Sequence, residues 1–172
     1  MNRFRAARND EADKIFALYS AVRGTPFCTW DDEYPGMTEI QNDLAGGNLF
    51  VLETDGGIIG AVSVVSGNEL DALDIWHPGG KAGEFARVVI HPALQGRGLA
   101  KLLVSNVLAE LKKRGCETVH IACAVQNLPA GKTYRHFGFT AAGQKELWGH
   151  LFDLLELRIQ NEPNHEGDGD VS

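Results

Sequence analysis

The residues best placed to do chemistry begin with a stretch that would act through its backbone. Gln95-Gly96-Arg97-Gly98-Leu99-Ala100, running on into Lys101, joins an apolar strand-like run to an amphipathic helical one. Glycine lets the main chain approach a ligand closely and take φ > 0. The first N–H groups of a helix lack intrahelical partners and sit at the positive end of its dipole. Two glycines at such a junction therefore form an anion cradle suited to a phosphate. Titratable side chains follow: Glu84, His91, His120, Cys123 and Tyr134. No His, Cys or Asp cluster has metal-ligand spacing, so no metal is expected. Cys123 has no neighbour in sequence that would mark it as a nucleophile. A lone His in a strand is usually satisfied locally, which is the expectation for His91 and His120.

These residues need elements to position them. Glu84 to Leu111 reads as a strand, a tight polar turn and a helix. Period two along the strand puts Glu84, Ala86, Val88 and Ile90 on one face. Leu99, Leu102, Leu103, Leu108 and Leu111 form an apolar stripe, and Arg114-Gly115 closes the helix as a C-cap. Upstream, the pattern predicts a strand over Arg3 to Ala7 and a helix from Asp10 to Val22, stopped by Gly24-Thr25-Pro26. Phe27 to Gly36 has no period and reads as a loop. Thr38 to Ala45 reads as a short helix with Thr38 as N-cap and Gln41 at the capping-box position. Leu49 to Thr54 and Ile58 to Ser66 flank Asp55-Gly56-Gly57, a strong hairpin signal. Downstream come a strand from Glu117 to Ala124, a helix from Asn127 to Phe137, and strands over Gly138 to Gly143 and Leu147 to Ile159. Hairpins mixed with crossovers imply a mixed sheet covered by helices.

Composition sets outer bounds. A chain of 172 residues that is 44% hydrophobic and 23% charged can bury the core of one domain. We expect that domain over residues 1–160, followed by an acidic, disordered tail over 161–172, where Glu162, Glu166, Asp168 and Asp170 stand without Lys or Arg. A net charge of −7 argues against nucleic acid or an anionic membrane as partner. Cys28, Cys116 and Cys123 are odd in number and lack CxxC spacing, as in a reducing, cytoplasmic setting. The N-terminus has no apolar signal segment.

Two motifs together resemble one family. Gln95-x-x-Gly98-x-Ala100, after Val88-Val89-Ile90-His91-Pro92, is similar to the acetyl-CoA signature of the GCN5-related N-acetyltransferases (GNAT). Asn127-x-x-Ala130-x-x-x-Tyr134-x-x-x-Gly138-Phe139 resembles the second half of that family's cofactor site, and the two stand in the family order. The resemblance implies an α/β fold of the mixed α+β kind. Its mostly antiparallel sheet would have about seven strands, splayed at the central one and flanked by about four helices.

The resemblance also implies roles. Backbone N–H groups over Gly96, Arg97, Gly98, Leu99, Ala100 and Lys101 would bind the pyrophosphate of acetyl-CoA, and Val88, Val89 and Ile90 would pair with its pantetheine arm. Gln95, Asn127 and Ala130 complete the cofactor site, and Tyr134 would protonate the departing thiolate. Glu84 is the candidate base, in competition with a water-only route. A base would help because a primary amine with a pKa near ~10.4 is only about one part in two thousand neutral at pH 7. The implied activity is acetyl transfer to a primary amine of a small molecule or protein, by direct attack in a ternary complex. The alternative is a CoA-binding sensor or assembly module without turnover. Trp30, Asp31, Asp32, Glu33, Tyr34, Asp71, Asp74, Trp76 and Trp148 fall in segments that line the acceptor side in this family, so a cationic amine is one candidate acceptor. A homodimer is left open.

Overall fold

The computed structural model describes residues 1–65 and 70–159. The expected tail lies outside the described residues, as does part of the segment before the central strand. Seven strands form one sheet in the order β1-β2-β3-β4-β5-β7-β6. They are β1 Arg3–Ala6, β2 Leu49–Thr54, β3 Gly57–Val65, β4 Ala82–Ile90, β5 Thr118–Ala124, β6 Thr140–Leu147 and β7 His150–Arg158. All neighbours are antiparallel except β4 and β5. The helices are α1 Ala12–Val22, α2 Met37–Ala45, α3 Leu99–Lys113 and α4 Leu128–His136.

The faces follow the apolar stripes. Helix α3 buries Leu103, Val104, Val107 and Leu111 against Phe85, Ile90, Val119 and Ile121. Each such side chain contributes roughly 2 kcal/mol on leaving water. On the other face Ile15, Tyr19 and Ile40 from α1 and α2 pack on Val51, Ala61 and Val89. Arg5 ties β1 to the chain ahead of α1 through the buried Glu11, with contacts of 2.8 Å. That guanidinium holds the Glu11 carboxyl down at about 2.

Three local expectations need correction. The N-cap of α2 is Gly36, whose N–H donates to Glu39 Oε2 at 2.8 Å, so Thr38 and Gln41 play no capping part. Glu39 stands three residues after Gly36 and reaches back over the first turn, starting the helix one residue early. The last hairpin turns at Trp148-Gly149, both with positive φ, which suits a two-residue loop. Gln144 to Leu147 therefore belong to β6, held by cross-strand pairing that their exposed side chains do not signal.

The third correction concerns β4. Its pairing with β3 passes from Val89–Ala61 to Ala86–Ser63, so Arg87 and Val88 share the space opposite Val62. Arg87 takes φ 54 in this bulge. A bulge inserts one residue and reverses the inward-outward alternation beyond it. Phe85, Val88 and Ile90 consequently pack on the α3 side, and Val89 on the α1 side. Glu84 and Ala86 thus do not share a face with Val88 and Ile90.

The bulge also aims Arg87 at α2. Its Nη2 donates to both carboxylate oxygens of Asp43, at 3.0 and 2.8 Å, and its Nη1 to the Tyr34 hydroxyl at 3.1 Å. Ser63 Oγ donates to Asp43 as well, at 2.6 Å. Both charged side chains are 12% exposed. Asp43→Asn should leave Arg87 buried without its counter-charge and cost about 3 kcal/mol in urea unfolding. An unchanged unfolding midpoint would remove this pair from the forces that hold the bulge.

Candidate active site

Strands β4 and β5 pair at two positions, Ala82–Thr118 and Gly83–Val119, and then part. From Phe85 onward the β4 main chain has no strand on its β5 side. A cavity of about 490 Å³ occupies the opening. Its walls are the β4 edge over Val88, Val89 and Ile90, the junction into α3, the end of β5, the start of α4, and Phe27 to Trp30 of the α1–α2 loop.

The junction forms a cradle. Gly96 and Gly98 stand at φ 79 and 77, and a Cβ on either would meet no protein atom within 4 Å. Gly98 is the N-cap and supplies no side-chain acceptor. Leu102 N–H is the first to find a partner, on Gly98 O at 3.2 Å. The N–H groups from Gly96 to Lys101 have no protein acceptor among the described residues. Unpartnered donors at a positive helix end, with open space before them, are the elements of an anion site. Gln95 Nε2 donates to Ile90 O at 3.2 Å and binds the strand end to the junction. Lys101 lines the cavity, whereas Arg97 is exposed and lies outside the lining.

Helix α4 brings two more groups. Asn127 caps it, its Oδ1 accepting from Ala130 N–H at 3.3 Å, and both residues line the cavity. Tyr134 is 8% exposed, with its ring 5.8 Å from both Phe85 and Phe139. Among the described residues its hydroxyl makes no hydrogen bond, and it is not among the polar atoms sealed from solvent. Burial first, and neighbouring Cys123 second, push the phenol above its ordinary range, so it stays protonated. Cys123 also lines the cavity; burial, then Asp153, raise its thiol to about 11.

Glu84 does not line the cavity; it is half-buried next to the last paired position of β4. His91 accepts from Ala93 N–H at 3.1 Å as a local cap. His120 is buried, with Nδ1 2.8 Å from Asp71 Oδ1. The acids expected on the acceptor side are elsewhere: Asp31 accepts from the N–H groups of Glu33 and Tyr34, which lowers its pKa, and among the described residues no Asp or Glu lines the cavity. Trp30 does line it, joined by Phe27, Cys28 and Phe152 from the segments expected on the acceptor side, and by Arg87, which sequence reasoning missed. Arg87 left one signal, a lone charge inside the apolar run Phe85 to Ile90. Among the described residues no group of His, Cys, Asp and Glu could hold a metal, and no helix is long and apolar enough to cross a membrane.

The family model described as "Acetyltransferase (GNAT) family" matches residues 14–139. The chain belongs to this family. Among curated relatives of this GNAT chain, mycothiol acetyltransferase from Cellulomonas flavigena is 33% identical over 134 residues, 73% of this chain and 37% of that protein. Mycothiol acetyltransferase from a Nocardioides species is 43% identical over 65 residues, 38% of this chain and 22% of that protein. The chain thus spans well under half the length of these relatives. A GNAT acetyltransferase structure from Streptococcus agalactiae superposes with a TM-score of 0.77 at 22% identity, covering 94% of this chain and 96% of that one. The yncA structure from Salmonella typhimurium, solved with its cofactor acetyl-CoA, has a TM-score of 0.71 at 19% identity, with 94% and 96% covered. These likenesses establish the seven-stranded GNAT fold.

The raised Cys123 thiol bears directly on its chemistry. Iodoacetamide at pH 8 should modify half-buried Cys28 well before Cys123, which should react only as the pH nears about 11. Equal rates at pH 8 would mean that Cys123 is an available nucleophile.

Proposed function

We propose that this GNAT chain transfers an acetyl group from acetyl-CoA to a primary amine by direct attack in a ternary complex. The observation that carries the reading is the convergence, in one cavity, of the unpartnered N–H cradle, the open β4 edge and the Tyr134 hydroxyl. The residues fit the ligand. The N–H groups of Gly96 to Lys101 suit a pyrophosphate, with Lys101 adding a positive charge. The edge of Val88 to Ile90 offers main-chain groups to the amides of a pantetheine arm in the manner of an added strand. The Salmonella structure with acetyl-CoA supports the same choice of donor.

Acetyl-CoA, when bound, supplies a thioester for the amine to attack. N–H groups of the β4 edge can stabilise negative charge on an acyl oxygen. Tyr134, held protonated by burial, meets a leaving thiolate as a hydrogen-bond donor. The protonated Cys123 supports direct transfer without an acylated enzyme. Among the described residues no carboxylate lines the cavity, and Arg87, which does, is compensated by Asp43. Aromatic walls at Phe27, Trp30 and Phe152 favour an amine whose charge is shed on entry, because desolvation lowers an amine's pKa. Glu84, through water, is the proposed first proton acceptor.

Two variants test the reading by CoA release with a panel of amines and by calorimetry. Tyr134→Phe should lower kcat about a hundredfold and leave acetyl-CoA affinity unchanged; equal turnover would remove its acid role. Gly98→Val must strain a left-handed position and crowd the cradle, so acetyl-CoA binding should weaken about tenfold or more. Unaltered affinity would sink the cradle assignment.

A further inference from the structure

A primary ammonium group loses two protons on becoming an amide. One can end on the departing sulfur through Tyr134, and the other needs an outlet. The last paired positions of β4 and β5 are Ala82–Thr118 and Gly83–Val119, so Glu84 and His120 are the next residues on the two strands as they part. Phe85, Val119 and Ile121 belong to the α3 core, which places Glu84 and His120 together on the opposite face. Ala122, two residues beyond His120 on that face, lines the cavity.

His120 is built unlike an ordinary core histidine. It is 5% exposed, and Trp76 lies flat on its ring with centroids 4.0 Å apart and planes within 5°. Trp76 is itself anchored, its indole N–H donating to Leu70 O at 2.7 Å. Asp71 Oδ1 holds Nδ1 at 2.8 Å, but Nε2 is buried without a hydrogen-bond partner among the described residues. Most buried polar atoms find a partner, and Nε2 has none although Nδ1 is held. A carboxylate on Nδ1 keeps the neutral ring's proton there and leaves Nε2 as the acceptor, the arrangement of an oriented base.

Resting on the acetyl-transfer reading, we propose that Asp71 and His120 form the inner station of a proton relay. Glu84, or a water beside it, takes the proton from the amine nitrogen, and His120 Nε2 receives it. As the nitrogen bonds to the acyl carbon, the C–S bond breaks and the sulfur takes its proton from Tyr134. Tyr134 is reprotonated by the second proton from the nitrogen, while His120, whose Nε2 is sealed from solvent, releases its Nδ1 proton to solvent through the exposed Asp71. The charged groups facing His120 are Asp71 from the segment before β4, Glu84 from β4, and Glu156 from β7, which pairs with His77. An imidazolium at this position is therefore surrounded mainly by carboxylates.

The test is the pH profile of amine-dependent CoA release for the full chain and its His120→Gln and Asp71→Asn variants. Near pH 7, kcat/KM of His120→Gln should fall on the order of 10²-fold, with acetyl-CoA affinity intact. The deficit should shrink as the pH approaches ~10, where the amine is neutral by itself. Asp71→Asn should show a smaller deficit with the same pH dependence. A deficit equal at every pH, or none, overturns the relay while leaving acetyl transfer standing. If His120→Gln fails to fold, the exposed Asp71 position decides by the same criterion. A wild-type chain that binds acetyl-CoA and turns over no amine overturns both.

Discussion

The parting of β4 from β5 is the constraint on which the rest of the structure depends. A parallel pair in mid-sheet would ordinarily continue for the length of both strands, because buried N–H and C=O groups demand partners. Here the pairing ends after two positions, and the polar edge of β4 is left facing a cavity. Two opposed wedges maintain the gap. On the α3 side Phe85, Tyr134 and Phe139 pack ring on ring, with centroids 5.8 to 6.2 Å apart. On the α1 side the bulge at Arg87 is fastened to Asp43, which Ser63 holds in turn. An open edge held in this way is costly alone and becomes useful when a ligand with its own amides completes it.

The same gap sorts the charges. Lys101 and the unpartnered N–H groups stand at the cradle end of the cavity, Arg87 lines it from the bulge with Asp43 as its counter-charge, and among the described residues no acid lines it. Inside, burial keeps the Tyr134 phenol and the Cys123 thiol protonated, so neither acts as a base or a nucleophile at neutral pH. Glu84 and His120 stand just past the last paired positions of β4 and β5, with Asp71 on His120, and none of the three lines the cavity.

Legibility in the sequence tracked how local each requirement was. The cradle was readable because two glycines and a helix start make it without help from elsewhere. Helices α1, α3 and α4 were readable from apolar spacing and caps, as was the β2–β3 hairpin from its glycine turn. The start of α2 was misplaced because Thr38 and Gly36 both offer plausible caps, and Glu39 chose between them. The second half of β6 was invisible because its exposed side chains carry no alternation. His120 read as an isolated strand residue, since its partners Asp71 and Trp76 are far away along the chain.

The sequence by itself determined the family, the order of elements and the glycine turn into α3, since each rests on residues adjacent in the chain or on one helical period. Only the tertiary structure decided the bulge at Arg87, the face on which Glu84 lies, the exclusion of acids from the cavity and the meeting of His120 with Asp71. Those depend on strand register and on contacts between distant segments. A single inserted residue reverses which side chains face the site, and no pattern within one strand records that it has happened.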